Sequence, residues 1–244
     1  MTCIVWDNSP LAAGFEDLAW LRENLPGFAY RHTPENVPLS RIYNTVIAEY
    51  VRSEESACDA LLIADQDSIF EPGLLDEAGA ALATHTDVSL FLPHVMANDA
   101  IVSPATVYGP IGLPWRTMRR GKIAAQSVTA INSGMIIRTA YLARRFSGYD
   151  ERLRFYGTDN DFCHKYAKTE RWLYALSSVL RHSLALRADE TGDEQLWRHR
   201  ENVRALRVVN SDDWIGRVTS TLYCAAYCSK MAIAKRDVRF LRWG

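Results

Sequence analysis

In the stretch LLIADQDSIF, residues 61–70, an apolar run that reads as a buried strand ends in two carboxylates one residue apart. Asp65 and Asp67 would repel each other and lose hydration beside a core, which is costly unless a cation or a backbone cradle compensates them. Acids on alternate positions just past a strand can offer oxygen ligands to a hard divalent cation. Such a cation can bridge to a diphosphate and neutralise the charge that develops as the diphosphate leaves. The same residues can instead cap a helix beginning near Leu74, and the pair alone leaves both readings open.

Three further segments carry polar groups of chemical interest. In FYGTDNDFC, Asp159 and Asp161 flank Asn160 at a helix start. Acids there are stabilised by the helix dipole and can be simple caps. Alternatively, one is a general base beside a hydroxyl that must lose its proton. In INSGMIIR, Asn132 and Ser133 offer hydrogen-bonding groups and Gly134 permits close backbone approach to a ligand, although a tight turn favours the same residues. His182 follows an apolar extended run and is either a metal ligand or a hydrogen-bonded structural residue.

The chain has 244 residues, enough for one large domain with a small appendage. Its apolar share of 48% and charged share of 23% are ordinary for a globular protein, and a net charge of −1 gives no electrostatic reason to expect nucleic acid. The five cysteines show no CxxC spacing and no local zinc set, which suggests reduced, buried thiols. The opening MTCIVWDNSP lacks the basic flank of a leader, so a cytoplasmic location is expected.

Positioning these groups falls to alternating elements. Thr2–Trp6, Phe28–His32, Ala60–Ala64 and Val88–Leu92 read as strands, and Leu11–Leu25 as a helix. Ser40 is a plausible N-cap for a helix whose apolar face includes Ile42, Tyr43, Val46, Ile47 and Tyr50. A helix is expected over Leu74–Leu82. Such alternation argues an α/β fold with a mostly parallel sheet covered on both faces, its ligand beyond the carboxyl ends of the strands. His94–Gly121, rich in proline and glycine, reads as a functional loop insertion. Beyond it come a strand pair around Asn132–Gly134, a helix at Thr139–Phe146 and another after the second acidic cluster. Leu173–Leu180 reads as extended, Glu194–Val209 as helical and Trp214–Trp243 as largely helical.

Taken in order, IVWDNSP, ENVPLSRIYN, LLIADQDS, INSGMIIR, GYDERLRFYGTDNDFC and RHSLA resemble the family-2 glycosyltransferases of the GT-A fold, especially their bacterial rhamnosyltransferase-like branch. The resemblance covers Thr2 to roughly Asn210. It implies a Rossmann-like mixed sheet, mostly parallel, in a domain spanning 1–210, with 211–244 as a helical extension. It also implies Asp7 near the donor's base, Asn36 and Asn44 lining the nucleotide pocket, and Asp65 facing the ribose or diphosphate. Asn132, Ser133 and Gly134 would belong to the same donor site. Asp67 would coordinate Mg²⁺ or Mn²⁺ with His182 as a further ligand, Asp159 would be the catalytic base, and Asp161 a secondary acid. The implied reaction moves a sugar, with inversion, from a nucleoside-diphosphate donor such as dTDP-rhamnose to a saccharide or lipid-linked acceptor in cell-surface polysaccharide synthesis. The chain departs from the family pattern at Pro38, at Thr158, and in lacking the usual first, central strand before Thr2. That last departure implies unpaired sheet edges and weak nucleotide binding, poor monomer stability or a gap-filling partner.

Two rivals stand beside this reading: a degenerate, inactive sugar-binding or scaffold protein, and a HAD-type phosphohydrolase, which also places D-x-D after a strand. The segment from Trp214 onward is apolar with a basic end. It is expected either to pack on the domain or to rest on an anionic membrane as a peripheral contact.

Overall fold

The computed structural model describes residues 2–25, 27–53, 58–182 and 191–242. Among the described residues there are twelve strands and seven α-helices, and seven of the strands form one large sheet. β5 (Leu90–Ala97) and β12 (Trp172–His182) form its centre and run parallel. β11 (Ile136–Arg138) flanks β5 and in turn carries β3 (Ala60–Leu62), while β4 (Ser68–Phe70) flanks β12. β6 (Ala100–Ser103) pairs with β5 and β9 (Gly121–Ala124) with β12.

Every pairing in this sheet except β5–β12 is antiparallel, so the expectation of a mostly parallel sheet is corrected to a mixed, mostly antiparallel one. The reason is the number of short strands that join the sheet without a crossover helix: antiparallel neighbours need none. β4, β6 and β9 are three or four residues long and too short to show a period.

The alternation of side chains across β5 builds two cores. Leu90 and Leu92 face a cluster with Ile137, Leu173 and the aromatic rings of Tyr141, Phe146, Tyr149, Phe162 and Tyr166. These rings come from α4 (Thr139–Arg144), α5 (Thr158–Thr169) and the segment joining them. Phe91, between the two leucines, faces the other side with Ile136, Leu176 and the apolar stripe Leu74, Ala78 and Ala81 of α3 (Leu74–Thr84). Helices therefore cover both faces of the sheet, as the sequence pattern predicts.

The N-terminal elements stand apart. β1 (Cys3–Asp7) and β2 (Phe28–His32) pair in parallel as a separate two-stranded sheet, connected by α1 (Phe15–Asn24). No residue of these three elements is fully buried, and Phe15 and Trp20 stay exposed. α2 (Leu39–Val46) continues into one π-helical turn at Ile47–Val51. Its N-cap position belongs to Pro38, not Ser40, whose buried hydroxyl donates to the Leu153 carbonyl.

The proline- and glycine-rich 94–121 segment is mostly strand. β7 (Ala105–Tyr108) and β8 (Ile111–Pro114) form a hairpin, joined by β10 (Val128–Thr129) in a second antiparallel sheet. β10 and β11, expected as a pair around the Asn132–Gly134 turn, thus belong to different sheets. At the C-terminus, α6 (Gly192–Val209) opens with a capping box between Thr191 and Glu194. α7 (Trp214–Lys235) packs on it through Cys224 and Cys228 against Val203.

Gly134 adopts φ +89°, and a Cβ there would lie 2.7 Å from the Pro93 ring and 3.2 Å from Leu180 Cδ1. Its N–H donates to the Ile63 carbonyl. Close packing between strands alone is enough to require glycine here. Gly134→Ala should destabilise the fold by about 2–4 kcal/mol in urea unfolding, from left-handed strain plus overpacking.

Candidate functional site

The Asn132–Ser133 turn, just before β11, touches both acidic segments. Ser133 is buried; its Oγ accepts from the Asp65 backbone N–H at 3.2 Å and lies 2.6 Å from Ser68 Oγ. Asn132 reaches the other way, donating from Nδ2 to Thr158 Oγ1 at 2.9 Å, beside Asp159. One turn thereby sets the position of the DQD loop relative to the start of α5. Ser133 acts through these bonds as a support and presents no free surface to a ligand.

The Ser68 hydroxyl extends the chain to His182 Nδ1 at 3.3 Å, and His182 Nε2 stands 3.3 Å from Asp67 Oδ2. This contact follows from strand register, because β12 pairs His182 directly opposite Ser68 on β4. The serine fixes the ring orientation and leaves Nε2 aimed at the carboxylate. β4 was not foreseen in the sequence, and it is the element that brings Asp67 and His182 together across 115 residues of chain.

Surroundings rather than contacts set the charge state of the other two acids. Burial raises the Asp65 carboxyl, the neighbouring Asp67 charge raises it further, and His182 partly offsets both. Burial pushes Asp159 up to about 6, with the Asp65 charge adding to it and the Asn160 N–H opposing. Asp159 is half-buried, so solvent still reaches part of it.

Tyr43 belongs to the same site. Its phenol is raised by burial and by the charges of Asp65 and Asp159, so it stays a neutral donor. In the sequence it counts as part of the apolar face of α2; the missed signal is its hydroxyl, which an apolar face does not use. Asn132 is more than nine-tenths buried, yet its Oδ1 has no hydrogen-bond partner, and the Tyr43 hydroxyl falls short of one. That acceptor is enclosed within the protein, with the Tyr43 phenol as its nearest donor.

The remaining candidates have other roles. Asp161 is buried and accepts from Lys165 Nζ at 2.8 Å and the Asp150 N–H at 3.0 Å, tying α5 to the preceding loop. Asn44 spends both ends of its amide on the Tyr149 backbone, at 3.0 and 2.8 Å, and is a brace rather than a pocket wall. Asp7 accepts from the Tyr30 hydroxyl at 2.6 Å and from the Ser9 and Ala13 N–H groups, which hold it well below the usual carboxylate range. Asn36, at φ 53°, accepts from Asn8 Nδ2. These last two groups lie at the carboxyl ends of β1 and β2, and their hydrogen bonds stay within that sheet and its loops.

A groove of about 630 Å³ lies beside the cluster, lined by Met96, Ile101, Trp115, Arg116 and Arg181 among others. Successive residues of β12 point to opposite faces, so Arg181 lines this groove while His182 faces the acidic turn.

Among the described residues no three His, Cys, Asp or Glu side chains form a ready-made metal cage. Asp67 and His182 still fit part of one, because two ligand atoms each about 2.1 Å from an ion at a right angle stand about 3 Å apart. A carboxylate oxygen and an imidazole nitrogen are both donor types that divalent ions accept.

No protein-family model and no curated protein matches the chain.

The division between Asp159 and Asp161 is testable. Asp161→Ala should cost about 2–3 kcal/mol of stability in urea unfolding by removing the charge partner of Lys165, while Asp159→Ala should cost less.

Proposed function

We propose that the chain is an inverting, metal-dependent glycosyltransferase of the GT-A type. In this reading it moves a sugar from a nucleoside-diphosphate donor, with dTDP-rhamnose the favoured candidate, to a saccharide or lipid-linked glycan acceptor. The observation that carries the reading is the grouping of the Asp67–His182 pair, Asp65 and Asp159 within electrostatic reach of one another, with Asp159 raised to about 6.

Asp67 and His182 would hold a divalent ion, whose chemistry there would be to neutralise negative charge on a leaving diphosphate. The Tyr43 hydroxyl, close to both acids, orients a sugar hydroxyl. Asp159, at the first turn of α5, accepts the proton of the acceptor hydroxyl as its oxygen attacks the anomeric carbon from the face opposite the leaving group. A carboxylate with a raised pKa is a stronger base than an exposed one and is still ionised near neutrality. The groove beside β12, with its apolar wall and two arginines, offers a surface for the acceptor.

A second reading, a sugar-binding or scaffold protein without turnover, draws on the separation of the β1–β2 pair from the main sheet. Transfer or slow donor hydrolysis, assayed over a panel of nucleoside-diphosphate sugars with Mn²⁺, separates the two readings. A productive donor should show an acid limb near pH 6, with activity present above it and lost as Asp159 is protonated below. Asp159→Asn should lower kcat by about 10²–10⁴-fold with nucleotide binding retained. Turnover unaffected by Asp159→Asn would remove the base from that residue. No turnover with any donor would favour the binding protein.

A further inference from the structure

α7 has two apolar faces and uses one. Ser220, Cys224 and Cys228 turn toward α6. On the opposite side, Trp214, Ile215, Val218 and Leu222 cluster on one face of the first turns, and Ile233 returns to that face three turns later, beyond Ala226 and Ser229. They are open to solvent, with Trp214 72%, Leu222 67% and Ile233 78% exposed. Between Arg217 and Lys230 the helix carries no charged residue. The end of the stripe is basic: Lys230, Lys235, Arg236 and Arg242 are exposed, and the acid among them, Asp237, is occupied by Arg239.

We propose that this face of α7 rests on an anionic lipid surface, with the stripe at the headgroup boundary and the basic end on lipid phosphates. An apolar stripe ending in cations, on a helix whose other side is anchored to the protein, has the chemistry of an interfacial helix. No helix among the described residues is long and apolar enough to cross a membrane, so the contact is peripheral. Charge decides against a second copy as occupant. An antiparallel pairing of two α7 helices would need acids at the start of the helix to answer the basic end. There Asp212 is engaged by Lys168 and His164, and Asp213 caps α7. The surface is independent of the acidic cleft, so the two proposals stand or fall separately.

Flotation of the full chain with phosphatidylcholine vesicles, with and without phosphatidylglycerol, tests it. The chain should float with the anionic vesicles and scarcely with the neutral ones, and raised salt should release it. Replacing Lys230 and Lys235 by alanine should weaken partitioning about fivefold per charge. Leu222→Glu lies on the exposed face, should keep the wild-type circular dichroism, and should abolish flotation. Equal recovery of wild type and Leu222→Glu would overturn the proposal. So would a dimer in sedimentation that Leu222→Glu splits while vesicles capture nothing, which would assign the face to a second copy.

Discussion

The arrangement of the cleft depends on one turn. Asn132 and Ser133 are adjacent residues that bond in opposite directions, one to the helix carrying Asp159 and the other to the loop carrying Asp65 and Asp67. Acids brought this close repel one another and lose hydration, and His182 and the Asn160 N–H offset that only in part. Their approach has to be enforced by groups that are themselves fixed. Ser133 and Asn132 are fixed by burial, and the turn is fixed by the glycine behind them, wedged between Pro93 and Leu180. Burial is the larger cause of the raised carboxyls of Asp65 and Asp159, and repulsion between the acids adds to it. A cation bound at Asp67 and His182 would relieve that repulsion, which gives the cleft a physical reason to bind metal.

Much of this was legible before the structure. The apolar run ending in DQDS and the helix over the second acidic cluster fall where the sequence pattern puts them, as do the Phe28–His32 strand and the two C-terminal helices. What local pattern cannot give is pairing. Strands alternating with helices imply parallel crossovers, but β4, β6 and β9 enter the main sheet as three- or four-residue antiparallel neighbours. In the 94–121 segment, proline and glycine mask a hairpin, because residues that mark loops also sit at strand ends and edges.

The site residues show the same limit. Asp159 and Asp161 are two apart on a helix, a rotation of about 200°, so one side chain must turn away from whatever the other faces. The sequence contains that fact, yet it does not say which acid meets solvent and which meets Lys165. Asn44 and Ser133 are polar residues whose partners are distant backbone groups, Tyr149 for one and Asp65 for the other, and only the fold reveals that they are occupied. Tyr43 is the reverse case, an aromatic counted with the core whose hydroxyl emerges among the acids.

The most direct measurement is calorimetric titration of the chain with UDP, dTDP and GDP, each with and without Mn²⁺. The account predicts that one nucleotide binds, that binding requires the metal, and that Asp67→Ala abolishes it without changing the melting temperature appreciably. Nucleotide binding that is equally tight without metal and indifferent to Asp67→Ala would contradict it, and so would a complete absence of binding.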